Sequence, residues 1–205
     1  PEMDGLDRLK AVFEQLPPTT CDHRGKCCSI FAPMTHLEYR LVRDHIAKHW
    51  TPEQVEALRS LVQMQVALRR AAPRDLNAKE VYRLKPHCVL YDEEARRCSV
   101  YPARPFACRA YGFRGECPLV RLRDHPALPA MSALPHEEVR RIGRKALELN
   151  ARFRDPGTGR EIEADAFKPI EFWFALEFAE WDGTLDPDDP SFIGLRKDPP
   201  RPTAG

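Results

Sequence analysis

Seven cysteines fall in two groups on either side of a stretch with helical periodicity, and this arrangement limits what the chain can fold around. The first group is Cys21, Cys27 and Cys28; the second is Cys88, Cys98, Cys108 and Cys117, with nine, nine and eight residues between successive members. An odd number cannot all pair within one chain. Residues Pro1 to Gln15 include Glu2, Asp4, Asp7, Lys10 and Glu14 and hold no apolar run of the kind a secretory leader needs. The expectation is a cytoplasmic protein with reduced thiols. Clustered thiolates in that setting are soft donors suited to zinc or to iron–sulfur clusters.

Neither group contains a C-x-x-C pair, which argues against a zinc ribbon or a thioredoxin-like redox motif. Gaps of about nine residues instead suit ligands carried by separate short elements around a larger object, such as a [4Fe-4S] cube. Cys27 and Cys28 are neighbours whose side chains diverge in an extended segment, so at most one is expected on a given ion. His23 and His87 sit beside the cysteines and could complete a mixed site, although a core or surface role is the better reading for each alone.

Helices are expected around these groups. Leu6, Leu9, Val12, Phe13 and Leu16 recur at three- and four-residue steps over Asp4 to Leu16, ahead of Pro17 and Pro18. Thr35-x-x-Glu38 is a capping box in front of Leu37, Leu41, Val42, Ile46 and Trp50. Thr51-Pro52-Glu53-Gln54 restarts the pattern with an N-cap, a proline at the first helical position and a closing Gln. Val55, Leu58, Val62 and Val66 form its stripe, and these two helices are expected to pair antiparallel, bringing the cysteine groups together. Val139, Ile142, Ala146, Leu149 and Phe153 mark a fourth helix. Phe167 to Trp181 reads as a fifth, amphipathic helix with Ile170, Trp173, Phe174, Phe178 and Trp181 on its core side.

Between them, Cys88-Val89-Leu90-Tyr91 and Cys98-Ser99-Val100-Tyr101 flank a polar run and predict a short hairpin or two extended arms. Pro102 and Pro105 then fix the backbone in a tight turn or one helical turn leading to Cys108.

The charge balance looks neutral, at +1 overall. Residues 81 to 125, however, hold nine Lys+Arg against five Asp+Glu, a local +4 around the second cysteine group. Four thiolates with Zn²⁺ or with an oxidised [4Fe-4S] core carry a net negative charge that is costly to enclose uncompensated. Arg104 and Arg109 are the expected neutralising groups, donating to sulfurs or adjacent carbonyls in the manner of outer partners at metal sites. No global charge excess calls for a nucleic-acid partner, and none is expected; the absence of a twenty-residue apolar run implies no membrane span.

The string Arg97-Cys98-Ser99-Val100-Tyr101-Pro102-Ala103-Arg104-Pro105-Phe106-Ala107-Cys108-Arg109, preceded by Cys88-Val89-Leu90-Tyr91, resembles the YkgJ-like cysteine-cluster family, a zinc- or iron-chelating domain related to flagellin N-methylase. That family carries an upstream C-x-x-C-G-x-C-C element. Here it reads Cys21-Asp22-His23-Arg24-Gly25-Lys26-Cys27-Cys28, with Arg24 at the second cysteine position. The resemblance implies metal chelation and, in some relatives, lysine N-methylation. No Gly-rich fingerprint for S-adenosylmethionine and no C-x3-C-x2-C radical signature accompanies it.

The expected fold is mainly α: one helical metal-binding domain over 1–181, with a hairpin/loop cysteine site, a helical insert at 35–71 and a proline-rich extended tail over 182–205. The expected function is metal binding, with an iron–sulfur cluster or zinc on the seven cysteines, in a redox or protein-modifying, methylase-like enzyme. The alternatives are a zinc-stapled module that docks a protein partner and a metal-handling protein without catalysis.

Overall fold

In the computed structural model, residues 5–16, 33–71, 88–110, 135–152 and 168–182 are described. The expectations for Cys21, His23, Arg24, Cys27, Cys28, His87, Cys117 and the proline-rich tail lie outside these residues. The architecture is mainly helical, with two small antiparallel ladders.

Helix α1 (Gly5–Phe13) buries Leu9, Val12 and Phe13, part of the stripe its sequence announces. Strand β1 (Pro33–Met34) leads into α2 (His36–His49), which begins at the Thr35 capping box. The Glu38 N–H donates to Thr35 Oγ1, and the Thr35 N–H donates to Glu38 Oε2. Helix α3 (Pro52–Ala71) starts the same way, with the Thr51 N–H donating to Gln54 Oε1 at 2.9 Å. Its stripe of Leu58, Val62 and Val66 is buried.

The hairpin follows as β2 (Tyr91–Asp92) and β3 (Arg97–Cys98), in the register Tyr91 to Cys98 and Asp92 to Arg97. Arg96 takes a left-handed φ of 51° in its turn. A 3-10 turn (Tyr101–Ala103) and the short helix α4 (Phe106–Ala110) come next, as the prolines predict. Helix α5 (His136–Arg152), strand β4 (Lys168–Pro169) and α6 (Ile170–Asp182) complete the described chain. Strand β4 pairs with β1, tying the start of α6 to the start of α2.

Two expectations change. Helix α3 lies chiefly against α6, not α2. Helix α6 is not amphipathic over its first turns: Ile170, Glu171, Phe172, Trp173, Phe174 and Ala175 are consecutive and all buried. The reason is position, because this helix is touched by α2, α3 and β4 and so has no wet face there.

Apolar side chains gather in two cores. The first joins Tyr39, Val42 and Ile46 of α2, the α3 stripe, the α6 aromatics and Val89, Leu90 and Val100 of the hairpin arms. The second joins α1, Leu37 and Leu41 of α2, Ala103, Ala110 and the α5 residues Val139, Ile142 and Ala146. Helix α2 contributes to both, with successive residues facing opposite ways. Among the described residues no helix is long and apolar enough to cross a membrane.

Candidate metal centre

Three of the seven candidate ligands lie in the described segment. Cys88 precedes the hairpin, Cys98 ends β3 and Cys108 sits in the middle of α4; all three are half-buried. Cys88 and Cys98 pack against the first core. Their arms are held by local hydrogen bonds: the Tyr91 N–H donates to the Cys88 carbonyl, and both the N–H and the hydroxyl of Ser99 donate to the Leu90 carbonyl. The buried Val89, Leu90 and Val100 give these arms apolar anchorage of their own. That differs from a set of loops ordered by metal alone.

Arg109 braces the passage from hairpin to α4. Its Nε donates to the Arg104 carbonyl at 2.7 Å, and its Nη2 donates to the Pro102 carbonyl. Its guanidinium also lies 4.8 Å from the centroid of the Phe13 ring. Burial, and next the charge of Arg104, lower the Arg109 guanidinium to about 10. It remains cationic at neutral pH, beside the Cys108 thiol with which it interacts electrostatically. Arg104 places its own guanidinium 3.9 Å from the centroid of the Tyr101 ring. The two arginines singled out in the sequence thus organise carbonyls and rings of the cysteine segment.

Glu38 is the residue the sequence points to only as a helix signal. It is 3% exposed, and its Oε1 accepts the Phe106 N–H at 2.7 Å while its Oε2 accepts the Thr35 N–H at 2.7 Å. One carboxylate therefore caps α2 and also holds the first residue of the helix that carries Cys108. Burial pushes its carboxyl above the ordinary range, against the opposing pull of its hydrogen bonds and of Arg109. Nearby, the Leu37 N–H donates to Asn150 Oδ1, which links α2 to α5.

A groove of about 710 Å³ opens beside Cys98, lined also by His45, His49, Trp50, Asp92 and Arg97. The His45 imidazole is shifted below its ordinary range by burial and by the adjacent His49. Among the described residues, no three Cys, His, Asp or Glu side chains converge closely enough to hold a metal alone.

The donor chemistry fits zinc or iron: half-buried thiols on a cationic, rigidly braced segment. No curated protein and no solved structure gives a significant match to the chain. A family model does, over residues 20–127, just over half of the 205 residues and spanning both cysteine groups. The chain belongs to the CxxCxxCC family, described as a putative zinc- or iron-chelating domain.

Proposed function

We propose that this chelating domain carries an iron–sulfur cluster of the [4Fe-4S] type, with ligands drawn from Cys88, Cys98, Cys108 and Cys117 and from Cys21, Cys27 and Cys28. The observation that carries the reading is the cysteine segment itself. Three half-buried thiols stand on separate short elements, with the Arg109 cation beside one of them. A cluster with thiolate ligands is anionic, and a fixed guanidinium favours it over the protonated thiols. When bound, such a cluster supplies electron-transfer or substrate-activating chemistry, as a cytoplasmic redox or methylase-like protein-modifying enzyme requires.

The chain's own residues orient and shield that site. Glu38 and Arg109 fix the backbone between Cys98 and Cys108, and Val89, Leu90 and Val100 hold the arms against the first core. The groove at Cys98 leaves one side open to a reactant.

Anaerobic purification, followed by iron, sulfide and zinc analysis and a visible absorption spectrum, tests the proposal. The expected result is a coloured protein with iron and acid-labile sulfide. A colourless protein with stoichiometric zinc and no sulfide defeats the cluster reading and leaves zinc chelation.

The core contacts of the hairpin arms also separate this reading from a zinc-stapled module. Cys98→Ser is expected to lose metal yet keep its helical circular dichroism and a cooperative melt. Loss of both together would favour the staple.

A further inference from the structure

His45 and His49 lie four residues apart on the last turns of α2, on the same face of the helix. Their ring centroids are 4.5 Å apart, with the planes tilted by 43°. Among the described residues, neither imidazole has a hydrogen-bond or ion-pair partner, so their ring nitrogens are available as donors. His36, at the other end of the helix, is different: its ring is stacked 5.1 Å from that of the buried Trp173 and serves the first core. Lys48, next to His49 in sequence, is held by Asp44 at 2.8 Å. Both imidazoles line the groove that Cys98 also lines, and Asp92 and Arg97, paired in register on the hairpin, face the same space.

We propose that His45 and His49 form a second cation site, a two-imidazole chelate for a borderline divalent transition ion such as Zn²⁺, at the groove that leads to Cys98. Neutral imidazole nitrogens four residues apart on one helix face can share a single ion, and zinc accepts such nitrogens readily. Water completes the coordination of the ion. The site is weaker than a thiolate cage, because it offers two neutral ligands instead of several charged ones. Its placement makes it a waiting position from which an ion reaches the cysteines. That role rests on the reading of Cys98 as a ligand; the binding itself does not.

The test is Zn²⁺ counting by equilibrium dialysis on the full chain, with wild type, His45→Gln/His49→Gln and Cys98→Ser compared near neutral pH. His49 is exposed and His45 half-buried at the groove, and Gln preserves helix propensity, so thermal melts of the double variant and wild type should stay close. The expected result is that wild type takes up one weakly held Zn²⁺ that the double His variant lacks, while the tightly held metal, counted separately as iron and zinc by elemental analysis, is unchanged. Cys98→Ser should lose tight metal and retain the weak equivalent. A wild type without tight metal that still shows the histidine-dependent equivalent would count against the cysteine reading and support this site. Equal weak Zn²⁺ uptake by wild type and the double His variant would overturn it.

Discussion

The cysteine segment straddles two cores of unlike chemistry. Its first half, from Cys88 to Val100, is held by packing: Val89, Leu90 and Val100 sit in the core built around Trp173, Phe174 and Phe178. Its second half adds Ala103 and Ala110 to the buried residues of the second core, with Pro105 also fully buried and Phe106 partly buried against that core. These side chains are small and offer less apolar area than Val89, Leu90 and Val100, so polar ties supplement them there. Glu38 holds Phe106, and Arg109 holds the Pro102 and Arg104 carbonyls and covers Phe13. Apolar burial is non-directional, whereas a buried carboxylate or a guanidinium fork fixes geometry. The half bearing Cys108 is therefore the one whose position depends on individual hydrogen bonds.

The largest expected effect breaks the packed half. Trp173 is 1% exposed, stacks on Tyr39 and donates its indole N–H to the Met34 carbonyl. Trp173→Ala should cost about 3–5 kcal/mol in urea unfolding, through the cavity and the lost donor. A change below about 1 kcal/mol would show that this core does not carry the arms.

The next effect breaks the polar half. Glu38→Gln keeps one acceptor oxygen but turns an NH₂ group toward one of the two N–H donors that the carboxylate now serves. The expected loss is about 1–3 kcal/mol, with metal retention reduced more than in a surface control. Unchanged stability would remove Glu38 from its role as the tie.

Gly143 gives a smaller test of the same half. A Cβ there would come 2.8 Å from Phe106 Cε1, so the ring must move. Gly143→Ala should lose about 1 kcal/mol net, because an overpacking cost of about 1–3 kcal/mol is partly offset by about 1 kcal/mol of helix propensity. A thermal melt at or above wild type would show that the ring relocates freely.

The smallest effect is a pH dependence. Folding raises the Glu38 pKa above its ordinary 4.5, so the folded chain binds that proton more tightly than the unfolded chain. Its contribution is fully present below 4.5 and is lost as pH rises through the elevated folded value. Denaturation series across that window should show wild type losing stability relative to Glu38→Gln as pH rises. A parallel pair of curves would contradict the burial effect on this carboxyl.

Much of this was legible in local pattern. Thr35 with Glu38 and Thr51 with Gln54 mark two helix starts because capping satisfies donors within a few residues, whatever the rest of the chain does. The hairpin and the turn before Cys108 follow from the polar run and the prolines. The partners of α3 and the burial of α6 were not legible. Which helix faces which is decided by contacts far apart in sequence, and the consecutive buried residues Ile170 to Ala175 show no periodic face to read. The second role of Glu38 was hidden for the same reason: its first oxygen answers a local donor, and its other oxygen answers one 68 positions away. The histidine pair leaves no mark in the sequence beyond a four-residue spacing shared by many surface residues, and its place beside Cys98 depends on how the hairpin docks.

By itself the sequence determined the family and the residue chemistry it brings: seven cysteines in two groups, a cationic segment around the second, and helices with their own stop and start signals. These are properties of residue type and near neighbours, which the chain carries into any fold. Only the tertiary structure decided that two cores share α2, that the cysteine segment bridges them, and that Glu38 and Arg109 hold the bridge. Those outcomes depend on burial, which turns a surface capping carboxylate into a long-range tie by removing the water that would otherwise satisfy Phe106.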